Sequence, residues 1–304
     1  MALKIIRPGM FTTVQDSGRW GFQAQGVGVS GAMDLFSHRL ANALVGNSDE
    51  DATLEVTLLG PEIEFQLNST VAVAGAEFRL TLDGGVAQMH QAFDVPAGAR
   101  LKFGERTKGA RAYLAVAGGI DVPAVLGSRA THVVTGMGGF DGRALRAGDI
   151  VKKQTGVAFG NTFGKKTEKT YRPLLLPDGG AKLRVIVGPT GAGLLTTRRY
   201  TILPQSNRVG YRLDGPAVFE RSTGEMISTA VPTGAVQVPP TGQPILLMAD
   251  HAPTGGYTIA ATVITADLPL AGQLAPGDWV EFQGCTLEDA DAALRDREAA
   301  VDPH

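Results

Sequence analysis

Apolar and polar residues alternate in short runs along most of this chain, and glycine or proline interrupts the runs at short intervals. "LEVTLL" (54–59), "IEFQL" (63–67), "TVAVAG" (70–75), "FRLTLD" (78–83), "RLKFGE" (100–105) and "AYLAVAGG" (112–119) are β-branched or alternating. After residue 180 the texture resumes with "KLRVIVGP", "YRLDGP", "EMISTAVP", "AVQVPP", "PILLMAD", "IAATVITAD" and "DWVEFQ". Period-two runs bounded by turn residues predict short strands in a sandwich or barrel. Few helical-period segments separate them, which disfavours an alternating βαβ sheet. The expected fold class is mostly β with a few short helices.

Two helices are predicted. Asp34 to Val45 places Leu35, Leu40, Ala43 and Leu44 on one side and stops at Gly46-Asn47, a common C-terminal signal. "TLEDADAALRDREAAV" opens with Thr286 and Asp289 in a capping-box-like pair and reads as a surface helix closing the chain. The first is expected to pack and the second to lie on the surface.

Between them, "QTGVAFGNTFGKKTEKTYRP" (154–173) is polar and glycine-dotted without an apolar period, the pattern of a linker. It divides the chain into an N-terminal β-domain (1–155), a linker (156–173), a C-terminal β-domain (174–283) and a terminal helix (286–300). The halves echo each other. "LRAGDIVKK" (145–153) and "LAPGDWVEF" (274–282) share L-x-x-G-D-x-V, and "LLGPEIEF" and "RLDGPAVF" share a Leu, a Gly-Pro and an apolar ending. Two matches in the same order point to a duplicated β-domain.

With 28 basic and 30 acidic residues the chain has no broad positive field, so nucleic acid and anionic membrane surfaces are not expected partners. Cys285 stands alone, which excludes an intrachain disulfide and a thiolate metal cluster. It is expected to be a small buried apolar side chain. The apolar run before Arg7 and Pro8 is too short for a signal-peptide core, and no stretch reaches the roughly 20 apolar residues of a membrane span. A soluble, cytoplasmic protein is expected.

The segment Gly26-Val27-Gly28-Val29-Ser30-Gly31 fits G-x-G-x-x-G and leads into the first helix. A dinucleotide loop needs a strand before it and a parallel sheet around it; here "QDSGRWGFQAQ" precedes it. Ser30 has Gly28 two residues before it but Ala32 two after, so it is not a nucleophile elbow. "GNTFGKKT" (160–167) places three residues between its glycines and Lys166 where a phosphate loop needs Ser or Thr. The histidines, at 38, 90, 132, 251 and 304, form no metal-ligand pair. His38 and His132 are expected to be structural, and no metal site is expected.

Polar groups concentrate at four turns, where sites are usually built. "QDSGRWGFQ" carries Asp16 and Arg19; "SGAMD" carries Ser30 and Asp34; "SNRVGYRLDGP" carries Asn207, Arg208, Tyr211 and Arg212; "MADHAPTGGYT" carries Asp250, His251, Thr254 and Tyr257. For each turn alone, mutual pairing of arginine and carboxylate explains the residues as well as a functional site does.

Together, "QDSGRWGFQAQGVGVSGAMDLFSHRLANALVGN", "AYLAVAGGIDVPAVLGSRAT", "GGFDGRALRAGD", "NRVGYRLDGP", "GAVQVPPTGQPILLMAD" and "TGGYTIAATVITADL" resemble the allophanate hydrolase subunit 2, or biotin-dependent carboxyltransferase, family. The resemblance runs from residue 1 to about 283. It implies two cyclophilin-like β-barrel domains and a partner of the subunit-B or KipI type. In the oxoprolinase members that pair works with a third protein, of the LamB/YcsF type, to open 5-oxo-L-proline to L-glutamate with ATP. In urea amidolyases the related domains pass a carboxyl group from biotin to urea. A third role in the family is non-enzymatic, as an antagonist that binds a KipI-type kinase inhibitor.

On the oxoprolinase reading, the lactam amide is a poor electrophile, and Arg19, Arg208 and Arg212 are candidate donors for developing oxyanion or phosphoryl charge. Asp16 or Asp250 would orient water or bind the ring N–H. Ser30, Asp34, Asn207, Tyr211, His251, Thr254 and Tyr257 are the candidate substrate-binding groups. ATP is the expected cofactor of the complex, with biotin required only for carboxyl transfer. This chain departs from the family pattern at Ala252-Pro253, where relatives carry Gln-Thr, and in the glycine-rich segment 188–199.

Overall fold

A computed structural model of the chain describes residues 2–154, 172–188, 195–218 and 227–301. The mostly β architecture with two barrel-like sheets is as the sequence predicts. Nearly all of the linker expected over 156–173, including the loop 160–167, lies outside the described residues, as does part of 188–199.

The N-terminal sheet has ten strands. Its path runs Phe11–Gln15, Thr53–Thr57, Arg100–Val116, Glu62–Phe65, Ala2–Arg7, Ile150–Lys153, Ile120–Asp121, and Ser69–Leu82 pairs along Arg100–Val116. All pairings are antiparallel. The C-terminal sheet closes on itself in the order Gly180–Val187, Thr258–Val263, Ala235–Val238, Ile245–Leu247, Gly210–Asp214, Arg199–Ile202, Trp279–Gly284. One parallel pairing, of Gly180–Val187 with Trp279–Gly284, completes the circle. Each sheet encloses its own apolar core: Leu3, Ile5, Leu54, Ile63, Leu101 and Val151 in the first, Leu183, Tyr200, Leu213, Leu246, Val280 and Phe282 in the second.

The shared L-x-x-G-D-x-V segments fold into the same turn. Arg146 N–H donates to Asp149 Oδ2 at 2.7 Å, and Ala275 N–H to Asp278 Oδ2 at 2.8 Å. Gly148 and Gly277 both adopt positive φ, +90° and +93°, a region glycine enters without a Cβ penalty. Each turn clamps an isoleucine of a neighbouring segment from both sides: Gly148 N–H donates to Ile5 O and Ile5 N–H to Asp149 O, while Gly277 donates to Ile202 O and Ile202 to Asp278 O. The leucine and valine of both segments are buried in the respective cores.

Three short α-helices complete the described residues. Helix α1 (Leu35–Val45) starts at Asp34, whose side chain accepts from Ser37 N–H, and ends at Gly46 in the left-handed region. Its buried residues are Phe36, Ser37, His38, Leu40, Ala41, Asn42 and Val45, whereas Leu35, expected on the packed side, is 38% exposed. The expected face was too narrow because it counted only apolar residues, and Ser37, His38 and Asn42 are buried with partners. Helix α2 (Leu268–Gly272) carries no periodic signal and was not anticipated. Helix α3 (Leu287–Val301) lies on the surface as expected, with Thr286 and Asp289 exchanging hydrogen bonds at its start. Cys285, expected to be buried, is half-buried at the short junction between the last strand and α3. Among the described residues no helix is long and apolar enough to cross a membrane.

Candidate functional site

Thr53–Thr57 is buried at every position, and the period-two pleat explains what that demands. Leu54 and Val56 face the N-terminal core, so Thr53, Glu55 and Thr57 must face another layer. The same holds for Arg111 and Tyr113 on Arg100–Val116, where Glu55 lies directly opposite Tyr113. That outer face meets α1 and the C-terminal half. A buried polar network fills the seam, because an unpaired charge there would be costly.

Arg208 is its centre. Its Nε and Nη2 donate to Asp250 at 2.9 and 3.0 Å, Nη2 also donates to Gly31 O at 2.6 Å, and Nη1 donates to Glu55. Glu55 accepts in addition from Tyr113 Oη–H at 2.9 Å and from Met33 N–H at 2.8 Å. Burial alone would lower the Arg208 pKa, but Asp250 and Glu55 outweigh it and hold the guanidinium well above its ordinary range. Burial likewise pushes the Asp250 pKa up, and Arg208 with Ser30 outweighs it, leaving the carboxylate below its ordinary range. Both are fixed in their charged forms. Burial, then Glu55 and Asp34, raises the Tyr113 phenol, so it is a neutral donor. A second branch runs through Gln273, whose Oε1 accepts from Ala110 and Arg111 N–H at 2.9 and 3.0 Å and whose Nε2 donates to Asp34 at 2.6 Å. Arg111 Nη1 reaches Tyr211 Oη at 2.9 Å and Gly272 O at 2.5 Å.

The loop 26–34 lies against this network. Ser30 has φ of +58°; its N–H donates to Ala249 O at 3.0 Å and its Oγ to Asp250 Oδ1 at 2.6 Å. Gly31 has φ of +90°, and a Cβ there would sit 2.8 Å from Gly18 N and 3.0 Å from Asp16 O. A Cβ on Gly28 would lie 3.2 Å from His251 O. Gly28 therefore lets the loop press against the C-terminal half, and Gly31 lets it fold back on the turn at Asp16–Gly18.

In front of the network opens a cleft of about 600 Å³. Its floor is Gly28 to Ser30, Met33, Met248 and Ala249; its sides are Trp20 and Phe36, then Ala230 to Thr233, then Leu268 and Pro269 of α2, and Leu294, Arg297 and Glu298 of α3. The lining is largely apolar, with Ser17, Gln23, Ser30, Arg39, Thr233, His251, Thr265, Arg297 and Glu298 as polar exceptions.

The predicted residues separate into four groups. Arg208, Asp250, Ser30, Asp34 and Tyr211 are brought together in the buried network, where Asp34 caps α1 and Tyr211 holds Arg111. Asp16 and Arg19 sit beside it but do not pair with each other. Asp16 accepts from Gly18 N–H, Ser128 Oγ–H and Arg129 N–H. Arg19 donates to Val125 O and Ala130 O at 3.0 and 2.9 Å, and its buried Nη1 has no partner among the described residues. Burial lowers the Arg19 pKa, with Asp16 and then Asp250 opposing. His251 lines the cleft with its ring nitrogens 2.7 and 3.0 Å from Met248 O and Val231 O. Asn207, Arg212, Thr254 and Tyr257 are exposed; Arg212 follows inward-facing Tyr211 on its strand and so points outward.

Glu55, Arg111, Tyr113 and Gln273 were missed by sequence reasoning. The available signal was a glutamate inside the strand run "LEVTLL" and an Arg-x-Tyr pair at the start of another. Of the histidines, His38 is structural as expected, with Nδ1 2.9 Å from Thr53 Oγ1 and Nε2 3.0 Å from Asp49 O. His132 stands nearer the site, with Nε2 3.4 Å from Asp250 O. Among the described residues no three His, Cys, Asp or Glu side chains group as metal ligands.

Two β-barrel-like sheets sealed by a buried ionic network, with a cleft at their junction, define the protein as a paired-barrel domain. Residues 25–284 match the family described as "Carboxyltransferase domain, subdomain A and B", and the chain belongs to that family. It is 38% identical to the C subunit of the 5-oxoprolinase of Escherichia coli strain K12 over 97% of this chain and 95% of that one. It is 32% identical to the urea amidolyase of Saccharomyces cerevisiae over 99% of this chain but 17% of that one. The crystal structure of the K. lactis urea amidolyase superimposes with a TM-score of 0.90 at 29% identity, covering 99% of this chain and 20% of that chain.

Proposed function

We propose that this chain is one component of an ATP-dependent 5-oxoprolinase that opens 5-oxo-L-proline to L-glutamate. The observation that carries the reading is the 38% identity to the C subunit of a 5-oxoprolinase over nearly the whole of both chains. That relative's name makes it one member of a multi-chain enzyme, which supports partners of the subunit-B or KipI type and of the LamB/YcsF type. The cleft at the seam is the surface this chain contributes to the site. Arg208 and Asp250 satisfy each other and neighbouring groups, so their role is to fix the cleft floor rather than to touch substrate. Ser17, His251, Arg39 and Arg297 are among the polar residues that line the cleft.

The cleft lining does not fit ATP. The Arg39 guanidinium is engaged by Asp49 and Glu298, Arg297 stacks on Phe36, and in the glycine-rich loop the N–H groups of Ser30 and Ala32 are taken by Ala249 O and Asp16 O, away from a phosphate cradle. We therefore assign nucleotide binding to a partner protein of the complex.

Carboxyl transfer is the second reading, favoured by the urea amidolyase relatives. Biotin supplies a carboxyl group in such chemistry, and the apolar walls of Trp20, Met33, Phe36 and Leu268 suit its ring and chain; it would arrive on a separate carrier. Co-purification with the two partner proteins separates the readings. Glutamate formation from 5-oxoproline and ATP is expected. A folded complex that makes no glutamate but carboxylates urea from a biotinylated carrier overturns the first reading in favour of the second, and a complex that does neither leaves the antagonist role.

A further inference from the structure

Helix α3 forms one wall of the cleft, yet it is attached unlike any other wall. No side chain of residues 287–300 is fully buried. At its start the last strand bond is Cys285 N–H to Val185 O at 3.0 Å, after which the capping pair Thr286 and Asp289 begins the helix directly. At its far end Arg172 N–H reaches Ala300 O at 3.4 Å. Over the cleft Leu294 lines the opening, Arg297 stacks 5.3 Å from the Phe36 ring centroid, and Glu298 pairs with Arg39 at 2.5 Å; beside it the helix rests on the turn Thr265–Asp267 and, through Ala300, on the apolar cluster of α1.

The arrangement is suited to release. Arg39 is shared between Glu298 of α3 and Asp49 of the body of the protein, at 2.5 and 2.6 Å, so losing Glu298 leaves Arg39 paired. The Glu298 side chain is already 49% exposed and passes into water with little change of hydration. Arg297 moves off Phe36 into solvent as a guanidinium that water hydrates well. Opening therefore strands no buried charge, in contrast to the Arg208 network behind the cleft.

We propose that α3 is a displaceable wall of the cleft, latched by the Arg39–Glu298 pair and by Arg297 on Phe36, whose swing from the Cys285–Thr286 junction controls the width of the opening. The proposal holds whichever reaction the cleft serves. Because the wall follows the last strand of the closed barrel, it can swing without disturbing the barrel from which it hangs. The Glu298 end of the latch is half exposed, so salt weakens the pair.

Hydrogen exchange on the full-length protein tests this. Amides of residues 287–301 are expected to exchange at least about tenfold faster than those of α1 beneath them, reporting a local opening. Glu298→Gln is expected to accelerate α3 by about threefold, the scale of one exposed pair, and to leave α1 unchanged. In the same variant, association of the apolar anion 8-anilinonaphthalene-1-sulfonate with the cleft is expected to speed up by a similar factor. An α3 as protected as α1, an α3 rate unchanged in the variant, or equal acceleration of both helices overturns the proposal.

Discussion

At the scale of single residues, the seam is held by charges that have nowhere else to go. Removing Arg208 leaves Asp250 and Glu55 buried without their shared cation, so Arg208→Ala is expected to cost about 3–5 kcal/mol, read as a lower urea midpoint at unchanged slope. Asp250→Asn, which keeps volume but leaves Arg208 short of one anion, should lower the midpoint by less. His38 gives a separate, pH-dependent signal. Burial holds its folded pKa below the ordinary 6.5, so as pH falls through 6.5 the unfolded chain takes up a proton that the folded chain refuses. Stability is therefore fully present above 6.5 and lost as pH falls toward the folded value. Unfolding free energy measured between about pH 8 and pH 5 should fall more steeply in wild type than in His38→Gln; parallel curves would contradict the assignment. Sequence could locate Arg208, Asp250 and Ser30 at polar turns, but not their use. Whether an arginine faces substrate or a carboxylate across a seam depends on contacts between residues as distant as Glu55 and Arg208, and no local pattern encodes those.

Among elements, the loop from Asp16 to Asp34 shows how a familiar motif acquires a different meaning. Some of its glycines are required by close packing: Gly31 at φ +90° has Gly18 backbone where a side chain would begin. Gly31→Ala is expected to lose about 2 kcal/mol or more, from the disfavoured φ and the clash together, measurable as a drop in Tm of several degrees. Substitution at Gly26, where a Cβ would meet nothing within 4 Å, carries only the conformational part and should cost less. The strands and the two longer helices were legible because their periods are regular. Helix α2 was not, being too short to show a period, and the buried face of α1 was misjudged because Ser37, His38 and Asn42 are buried by hydrogen bonding rather than by hydrophobicity. The repeated Leu-x-x-Gly-Asp-x-Val turn was legible outright, since glycine's positive φ and the aspartate cap are local demands.

For the whole molecule, the two sheets have separate apolar cores but a common polar seam, which makes them one functional body with a cleft at the junction. The fold class could be read because alternation and turns are local, and the family could be read because long segments carry its signature. The cleft could not, because its walls come from the loop near residue 30, the segments 230–233 and 248–253, helix α2 and helix α3, which only the folded chain assembles. The central claim is that this cleft is the working surface of one component of an oxoprolinase. Ala230 lines it from an exposed position on a short two-stranded ribbon, so Ala230→Trp narrows the cleft without filling a core. The decisive measurement is the rate of glutamate formation from 5-oxoproline and ATP by the complete complex carrying wild-type chain or Ala230→Trp, with Tm and complex assembly measured alongside. The account predicts a folded, assembled variant whose rate falls by at least about tenfold, the scale of a displaced reacting group. A folded, assembled Ala230→Trp complex that turns over at the wild-type rate would contradict it.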